Sequence, residues 1–313
     1  MKGIVACAVA CAGLIATAAS AEEAAPGVAA ALAPPVPDLY APSSEYLFSG
    51  HTEPYGFDTA AEHVSSIPWL TGGIFAATFA IGIMDWDWGS EEFHFADEGF
   101  FGEDTFNGGM DKLGHAFGTY LLTDIFTDAI RNNADDPQWA ELTAVGLAMG
   151  VMTTVEILDG YSGHGFAWQD MVMNSLGAGF SYVRNTVPGM RDKIDFRLEY
   201  LPSGSDDDNF KPHSDYAGQK YVLALTLAGF GNLEESPLRF FELQTGYYAR
   251  GFTLQEQNEG EERRRELYVG VGVNMGELLF GWPSVRDTRI GRAGRRSLDY
   301  IQVPYSYAAY PYD

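Results

Sequence analysis

The sequence predicts an α+β protein, in which a compact bundle of about four short helices is followed by an antiparallel β meander. Two observations support this prediction. In the first half of the chain, long apolar stretches without formal charge carry glycines at close spacing, which is typical of closely packed helices. After Arg184, aromatic and β-branched residues show partial two-residue alternation, and segments rich in Gly and Asp separate them, which is typical of strands joined by turns.

Residues 1–21 have the features of a secretory signal peptide. Lys2 supplies the positive charge, an apolar stretch follows, and Ala19-Ser20-Ala21 is a small-residue cleavage site. The mature chain is therefore expected to begin at Glu22. Both cysteines lie in the segment that is removed, so the mature chain would have no disulfide, no thiolate metal ligand and no cysteine nucleophile.

The mature chain divides into three predicted segments. Residues 22–50 are rich in Ala and Pro without apolar periodicity and are predicted to form a linker or extended arm. Residues 51–190 form the helical domain. Residues 191–313 form the antiparallel β region, which ends in a tail rich in Arg and Tyr.

The first helical stretch of the domain is His63–Met84, which carries no formal charge over 22 residues. It is just long enough to cross a bilayer, and Trp86 and Trp88 at its end would suit the membrane interface. The alternative is a buried helix of a soluble bundle, which Pro68 and three glycines keep open. The sequence is compatible with both interpretations.

Three further apolar stretches are predicted as helices: Leu113–Thr123, Leu142–Val155 and Met171–Val183. Each is shorter than a standard membrane span. Each also contains two closely spaced glycines, which allow helix backbones to approach one another. Beyond Arg184, strands are predicted at 194–201, 220–229, 238–252 and 266–274, and a last edge strand at 302–305.

The charge distribution is uneven. The chain carries a net charge of −24. Residues 22–183 contain 24 acidic side chains, but only two basic ones, Lys112 and Arg131. Such acidity argues against nucleic-acid binding, which requires a basic surface. We expect an exported protein, located in the periplasm or associated with the outer membrane, with a membrane lipid or another envelope component as its partner.

Lys112 lies between Asp111 and His115 at the start of a predicted helix. On a helical wheel, Asp111 and His115 share the apolar face that points inward, whereas Asp124 and Asp128 point away. The simpler interpretation is an acid at the helix N-terminus next to a satisfied core histidine. The alternative is that these residues belong to a functional site.

Two other helix ends carry the remaining candidates. Glu156 and Asp159 lie one turn apart at the end of a helix, where they oppose its macrodipole and need a partner. Lys112 is therefore expected to pair with Glu156, Asp159 or Asp170. Together the helix ends are expected to form a buried ion-pair network or a site, with the candidates Asp111, Lys112, His115, Glu156, Asp159, Trp168, Asp170 and Asn174.

These residues also carry a resemblance to a known family. The pattern resembles the YfiM family of predicted periplasmic lipoproteins and, more distantly, the VanZ-like domain of membrane proteins linked to glycopeptide-antibiotic resistance. The resemblance spans about residues 60–280 and is most specific over 93–180. It implies an envelope location but no reaction, because the YfiM family has no established activity. The motifs are Asp111-Lys112-x-Gly114-His115, Glu156-x-x-Asp159-Gly160, Trp168-x-Asp170 and Asn174-x-x-Gly177.

Two functions remain open from the sequence. The first is a non-enzymatic, membrane-associated envelope protein whose polar cluster shapes the bundle or binds a lipid or cell-wall head group. The alternative is a metal-assisted hydrolase or transferase acting on such a head group, with His115, Glu156 and Asp170 as ligands or base. An imidazole with carboxylates would suit Mn, Mg or Zn. The sequence does not decide whether the protein is an enzyme.

Overall fold

The computed structural model describes residues 54–204, 212 and 215–311. The predicted signal peptide and the linker at 22–50 lie outside the described residues. Phe95–Ala96 (β1) and Phe166–Ala167 (β2) pair as a small parallel sheet, which was not predicted. The helices of the first part of the described chain number five, where about four were predicted: α1 (Phe57–Ser66), α2 (Pro68–Asp85), α3 (Met110–Asn133), α4 (Ala140–Asp159) and α5 (Trp168–Thr186). The stretch His63–Met84, predicted as one helix, is divided between α1 and α2.

Helix α3 is the central element of the bundle, and 18 of its 24 residues are buried. It lies against α5 so closely that a Cβ added at Gly177 would come within 2.0 Å of the Ala116 carbonyl oxygen, so only glycine fits there. Because α3 is covered on all sides, the expectation that Asp124 and Asp128 point away from the protein interior is wrong. Asp124 is fully buried, and Asp128 is only partly exposed.

The helices are also longer than the apolar stretches that predicted them. Helices α3, α4 and α5 have 24, 20 and 19 residues. The predicted stretches ended at the first charged residue. In the folded chain the helices continue through these charged residues, most of which are buried and make ion pairs or hydrogen bonds.

The second part of the chain is a five-stranded antiparallel sheet whose strands follow one another in chain order, as the predicted meander requires. Its strands are β3 (Ile194–Tyr200), β4 (Gln219–Thr226), β5 (Phe241–Arg250), β6 (Arg264–Val273) and β7 (Tyr307–Pro311). The predicted edge strand at 302–305 is wrong. Tyr305 has a positive φ of 61°, which a strand does not accommodate, and the last strand begins two residues later.

Short helices that were not predicted accompany the sheet. Helix α6 (Leu254–Asn258) connects β5 to β6, and α7 (Met275–Phe280), α8 (Pro283–Arg286) and α9 (Arg289–Leu298) connect β6 to β7. The arginine-rich part of the tail is therefore largely helical. Apolar periodicity gave no signal there, because α9 contains few apolar side chains and Gly291 is its one buried residue.

A buried network of charged groups joins the bundle to the sheet. Arg184 on α5 is fully buried, and it pairs with Asp124 on α3 at 3.0 Å and with Asp195 on β3 at 2.6 Å. Within the sheet, Arg197 pairs with Asp195 at 2.6 Å and with Glu242 at 2.8 Å. Because a buried charge that loses its partner typically costs about 3–5 kcal/mol, this network fixes how the sheet packs against the helices.

Much of the outer surface is apolar, whereas polar groups are buried. On α5 the side chains of Asp170, Asn174, Ser181 and Arg184 are buried, and Leu176 is 59% exposed. The sheet shows the same inversion in β5, where Glu242 and Gln244 are buried and the alternating residues are exposed. The large exposed apolar residues of β5 and β6 are Phe241, Leu243, Leu267, Val269 and Val271.

Two of the described helices, α2 and α4, are long and apolar enough to cross a membrane by length and composition. Only 17% of the apolar window of α2 is buried, against 39% of that of α4. Helix α2 is therefore not the buried core helix that was one of its two predicted alternatives.

Candidate functional site

The candidate site lies where four helix ends meet. Helices α3 and α5 begin at this end of the bundle, and α2 and α4 end there. The N-termini of α3 and α5 favour negative charge through their macrodipoles, and each carries an aspartate in its first turn, Asp111 and Asp170. Helix α4 ends here, and the macrodipole at its C-terminus disfavours negative charge. Its terminal acids Glu156 and Asp159 therefore need other stabilisation.

Lys112 is the cation at the centre of this cluster, and it is only 1% exposed. Its Nζ lies 2.5 Å from Glu98, 2.9 Å from Asp111 and 2.8 Å from Asp170. The predicted pairing of Lys112 with Asp170 is therefore confirmed. Burial alone would lower the pKa of Lys112, but the three carboxylates raise it above its ordinary value, so the ammonium stays charged.

His115 lies one turn further along α3 and contacts two other helices. Its Nδ1 lies 3.2 Å from Oε1 of Glu156 and 3.3 Å from Oδ1 of Asn174. Its Nε2 lies 3.5 Å from Oδ2 of Asp170. Burial, together with the nearby charge of Lys112, lowers the pKa of His115 to about 3, so the imidazole is neutral at pH 7.

The carboxylates of the cluster outnumber its cations. Glu98, Asp111, Glu156 and Asp170 surround Lys112 and a neutral imidazole, and Asp159 lies beside them. Burial is the main cause that raises the pKa of Glu98 to about 7 and that of Asp170 to about 6. The cluster thus holds an excess of negative charge that Lys112 alone does not offset.

The structure brings together six of the eight predicted site residues, namely Asp111, Lys112, His115, Glu156, Asp170 and Asn174. The other two lie beside the cluster. Asp159 accepts a hydrogen bond from the indole Nε1 of Trp88 at 2.7 Å. Trp168 is 54% exposed and packs edge-to-face against Phe100, so it lies outside the charged groups, and its part in the site stays a prediction.

Sequence reasoning missed two members of the cluster. Glu98 lies in the loop before α3, and no periodic pattern connects it to the helix ends. Thr119 donates a hydrogen bond from its Oγ1 to Oδ1 of Asn174 at 2.8 Å. Its position one turn after His115 was the signal that could have revealed it.

An aromatic rim lies beside the cluster at this end of the bundle. Its rings contact one another edge-to-face, with centroid distances of 5.3 Å for Phe93 and Tyr161 and 5.5 Å for Phe95 and Phe166. Pairing of β1 with β2 brings its two segments together. We define the rim as Phe93, Phe95, Phe100, Tyr161, Phe166 and Trp168.

The arrangement has the composition of a metal site. One ligand atom from each of His115, Glu156 and Asp170 lies within 4.8 Å of the others, and the same holds for Glu98, Asp111 and Asp170. The first set consists of the three residues that the sequence predicted as ligands. The second set contains only carboxylates. Carboxylates and an imidazole bind hard and borderline divalent cations.

Comparison with known proteins supports the predicted location. Residues 97–186 match the model of a family described as predicted periplasmic lipoprotein (DUF2279). The matched stretch includes every member of the cluster from Glu98 to Asn174, but it is less than a third of the chain. It confirms the prediction of an exported protein of the periplasm or cell envelope.

No curated protein and no solved structure matches the chain. The match to the family model does not test the resemblance to the YfiM and VanZ-like families, which stays a prediction. Lipid attachment, which the sequence leaves undecided, is not tested either, because both cysteines lie outside the matched stretch.

Proposed function

We propose that the protein associates with the envelope membrane and binds a lipid or cell-wall head group at the polar cluster. The observation that carries this proposal is the position of the cluster beside the aromatic rim. Aromatic side chains such as Trp and Tyr concentrate at membrane–water interfaces. A cluster beside such a rim would lie at the depth of the head groups.

The apolar outer surface supports the membrane association. Helix α2 has 18 residues, corresponding to a length of about 27 Å, which is close to the thickness of a bilayer's hydrocarbon core, about 30 Å. Apolar patches of this kind usually mark an interaction site or a membrane contact. Here they occur on several elements at once, including α2, α5 and the sheet, which is more than a single protein partner would ordinarily cover.

The cluster also contains groups that a head group could use. The side-chain amide nitrogen of Asn174 and Oε1 of Glu156 are buried without a hydrogen-bond partner among the described residues. The amide is a donor, and the carboxyl group of Glu156, whose pKa burial raises well above its ordinary value, can donate or accept. A polar head group with hydroxyl, amine or phosphate oxygen atoms could satisfy both, because such groups bring donors and acceptors together.

The proposal can be tested by titrating detergent-purified protein with dihexanoyl phosphatidylethanolamine, dihexanoyl phosphatidylglycerol and a soluble disaccharide-peptide fragment of the cell wall. Tryptophan fluorescence is the readout, because Trp88 and Trp168 lie beside the cluster. We expect saturable binding of at least one probe, and the responding probe distinguishes lipid from cell wall.

Asn174→Leu, which keeps the size but deletes the amide, should abolish the response. The control is Glu141→Gln, at the opposite end of α4 from Glu156. The absence of saturable binding for all three probes would contradict the proposal, as would a folded Asn174→Leu variant that binds as the wild type does.

A second candidate function is a metal-assisted hydrolase or transferase acting on the same head groups. It is favoured by the neutral imidazole of His115, which lies within 3.5 Å of two carboxylates and could serve as a ligand or a base. Incubation with the same probes and Mn²⁺, Mg²⁺ or Zn²⁺, followed by mass spectrometry, tests it. Product that is lost in His115→Gln supports catalysis, whereas unchanged probes exclude it for these compounds.

A further inference from the structure

We infer that His115, Glu156 and Asp170 bind one divalent cation, of which Zn²⁺ and Mn²⁺ suit the site best. The cluster contains two sets of three ligand atoms, each within 4.8 Å of one another. The carboxylate set already holds a cation, because the ammonium of Lys112 contacts all three of its acids. The other set contacts Lys112 only through Asp170, and among the described residues no lysine or arginine lies within 4.0 Å of its Glu156.

The surroundings of the two ring nitrogens of His115 give the first reason to expect a cation. A neutral imidazole carries a proton on one nitrogen and a lone pair on the other. If Nδ1 is protonated, the lone pair of Nε2 faces Oδ2 of Asp170 at 3.5 Å. If Nε2 is protonated, the lone pair of Nδ1 faces oxygen atoms of Glu156 and Asn174 at 3.2 and 3.3 Å, a contact that becomes a hydrogen bond only when Glu156 carries a proton. A cation turns such a contact between acceptors into two favourable bonds.

The Glu156 carboxylate is an independent reason. It is 1% exposed, and its Oε1 has no hydrogen-bond partner among the described residues. A buried polar atom without a partner costs free energy, and a buried charge without one costs considerably more. Because Glu156 also offers a ligand atom within 4.8 Å of those of His115 and Asp170, a metal ion shared by the three residues would stabilise its buried carboxylate.

The contact with Asn174 fits a metal-bound histidine. A histidine ligand usually donates its other ring N–H to an oxygen, which fixes the tautomer. Asn174 supplies that oxygen opposite Nδ1, and the hydroxyl of Thr119 holds the same carboxamide oxygen from α3. This leaves Nε2 as the nitrogen that binds the cation.

The ligand chemistry narrows the choice of ion. Ca²⁺ and Mg²⁺ prefer oxygen ligands alone, whereas one imidazole and two carboxylates suit Zn²⁺ and Mn²⁺. Three protein ligands also leave a coordination position open, as in catalytic zinc sites. The inference goes beyond the proposed head-group binding and does not depend on it, because the cation alone can be tested on the purified protein.

The test is calorimetric titration of EDTA-treated protein with ZnCl₂ and with MnCl₂. We expect one cation per chain, and an affinity that falls at least about tenfold in Glu156→Gln and in His115→Gln, since even the loss of a residue that only supports a ligand costs 10–100-fold. Glu141→Gln is the matched control, because it makes the same change on the same helix away from the cluster. Its affinity should equal that of the wild type.

A second measurement on the wild type covers the case in which the variants do not fold. Co²⁺ bound to an imidazole and carboxylates in four- or five-coordinate geometry absorbs visible light much more strongly than hydrated Co²⁺, and Zn²⁺ should displace it. The inference is overturned if neither ion binds below about 1 mM, the weak end of protein cation sites. It is also overturned if folded Glu156→Gln and His115→Gln bind as the wild type does, or if Co²⁺ keeps the spectrum of the hydrated ion.

Discussion

The Nζ of Lys112 lies 2.8 Å from Oδ1 of Asp170, so an ion pair that is buried on both sides ties the first turn of α3 to the first turn of α5. Each residue of this pair makes further contacts. Lys112 also holds Glu98 and Asp111, and Asp170 also faces His115. Asp170 is therefore the residue through which the charged part of the cluster and its imidazole are coupled.

The first prediction concerns the stabilising role of Lys112. Lys112→Met keeps the length of the side chain but leaves three carboxylates without their cation, and loss of a buried partner typically costs about 3–5 kcal/mol. Denaturant unfolding should show a loss of that order. Adding Asp170→Asn to this variant should recover part of it, because one unpaired acid is then removed. A loss below about 1 kcal/mol, the range of exposed pairs, would contradict the prediction.

The second prediction concerns the network between bundle and sheet. Arg184→Met should lower the free energy of unfolding by about 3–5 kcal/mol, because Asp124 and Asp195 lose a fully buried partner. Arg131→Met is the comparison, since Arg131 and its partner Glu141 are both partly exposed. Its effect should be nearer to about 1 kcal/mol. If both variants lose the same stability, the buried network does not have the role assigned to it.

The third prediction is a stability maximum in mildly acidic solution for the EDTA-treated protein. The raised pKa values of Glu98, to about 7, and Asp170, to about 6, mean that the folded state holds these protons more tightly than the unfolded state. The raised pKa values of Asp159 and Glu156 act in the same sense, whereas the lowered pKa values of His115 and His164 act in the opposite sense. Because the four carboxyls outnumber the two histidines, stability should fall as the pH rises from about 4 through 7. The pKa values of Asp124 and Asp128 are lowered despite burial, mainly by nearby arginines, so stability should also fall as the pH drops below about 4.

Thermal unfolding midpoints measured across this pH range check the predicted loss of stability on the alkaline side and on the acidic side, the alkaline and acidic limbs of the profile. Glu98→Gln should reduce the loss on the alkaline side and leave the acidic limb unchanged. A profile that rises steadily towards alkaline pH would show that the cluster carboxylates are not protonated in the folded protein.

The fourth prediction concerns the apolar surface. Leu176→Asp introduces a charge at an exposed position of α5, where it should not disturb the fold but should weaken flotation with phosphatidylethanolamine/phosphatidylglycerol vesicles. Ile290→Asp is the matched control, because Ile290 is also exposed but lies on the arginine-rich helix α9. Equal flotation of both variants would argue that this face of α5 does not contact lipid.

Much of the fold could be predicted because its elements have strong local patterns. The four strands β3 to β6 were predicted close to their observed bounds, because apolar and β-branched residues mark them and turn residues separate them. The scarcity of cations in that half of the chain predicted that Lys112 pairs with Glu156, Asp159 or Asp170, and the structure shows Asp170 as the partner. Such pairings can be deduced from charge alone only when there is almost no choice of partner.

The remainder depended on long-range packing, which local patterns do not record. Asp124 could not be recognised as buried, because its partner Arg184 lies 60 residues away and α3 is enclosed on every side. Glu98 was missed because its loop reaches the cluster only through the folding of neighbouring elements. The helical wheel assumed one buried face, an assumption that fails for a central helix.

The most direct test of the central claim, that the polar cluster is a binding site and not only a brace, is head-group titration of Asp170→Asn beside its thermal unfolding. This variant keeps the shape of the side chain, and Lys112 retains Glu98 and Asp111 as partners, so it should fold. We predict an unfolding midpoint close to that of the wild type, together with at least about tenfold weaker binding of the responding probe. A folded Asp170→Asn variant that binds with wild-type affinity would contradict the claim, and a variant that fails to fold would leave the cluster only a structural role.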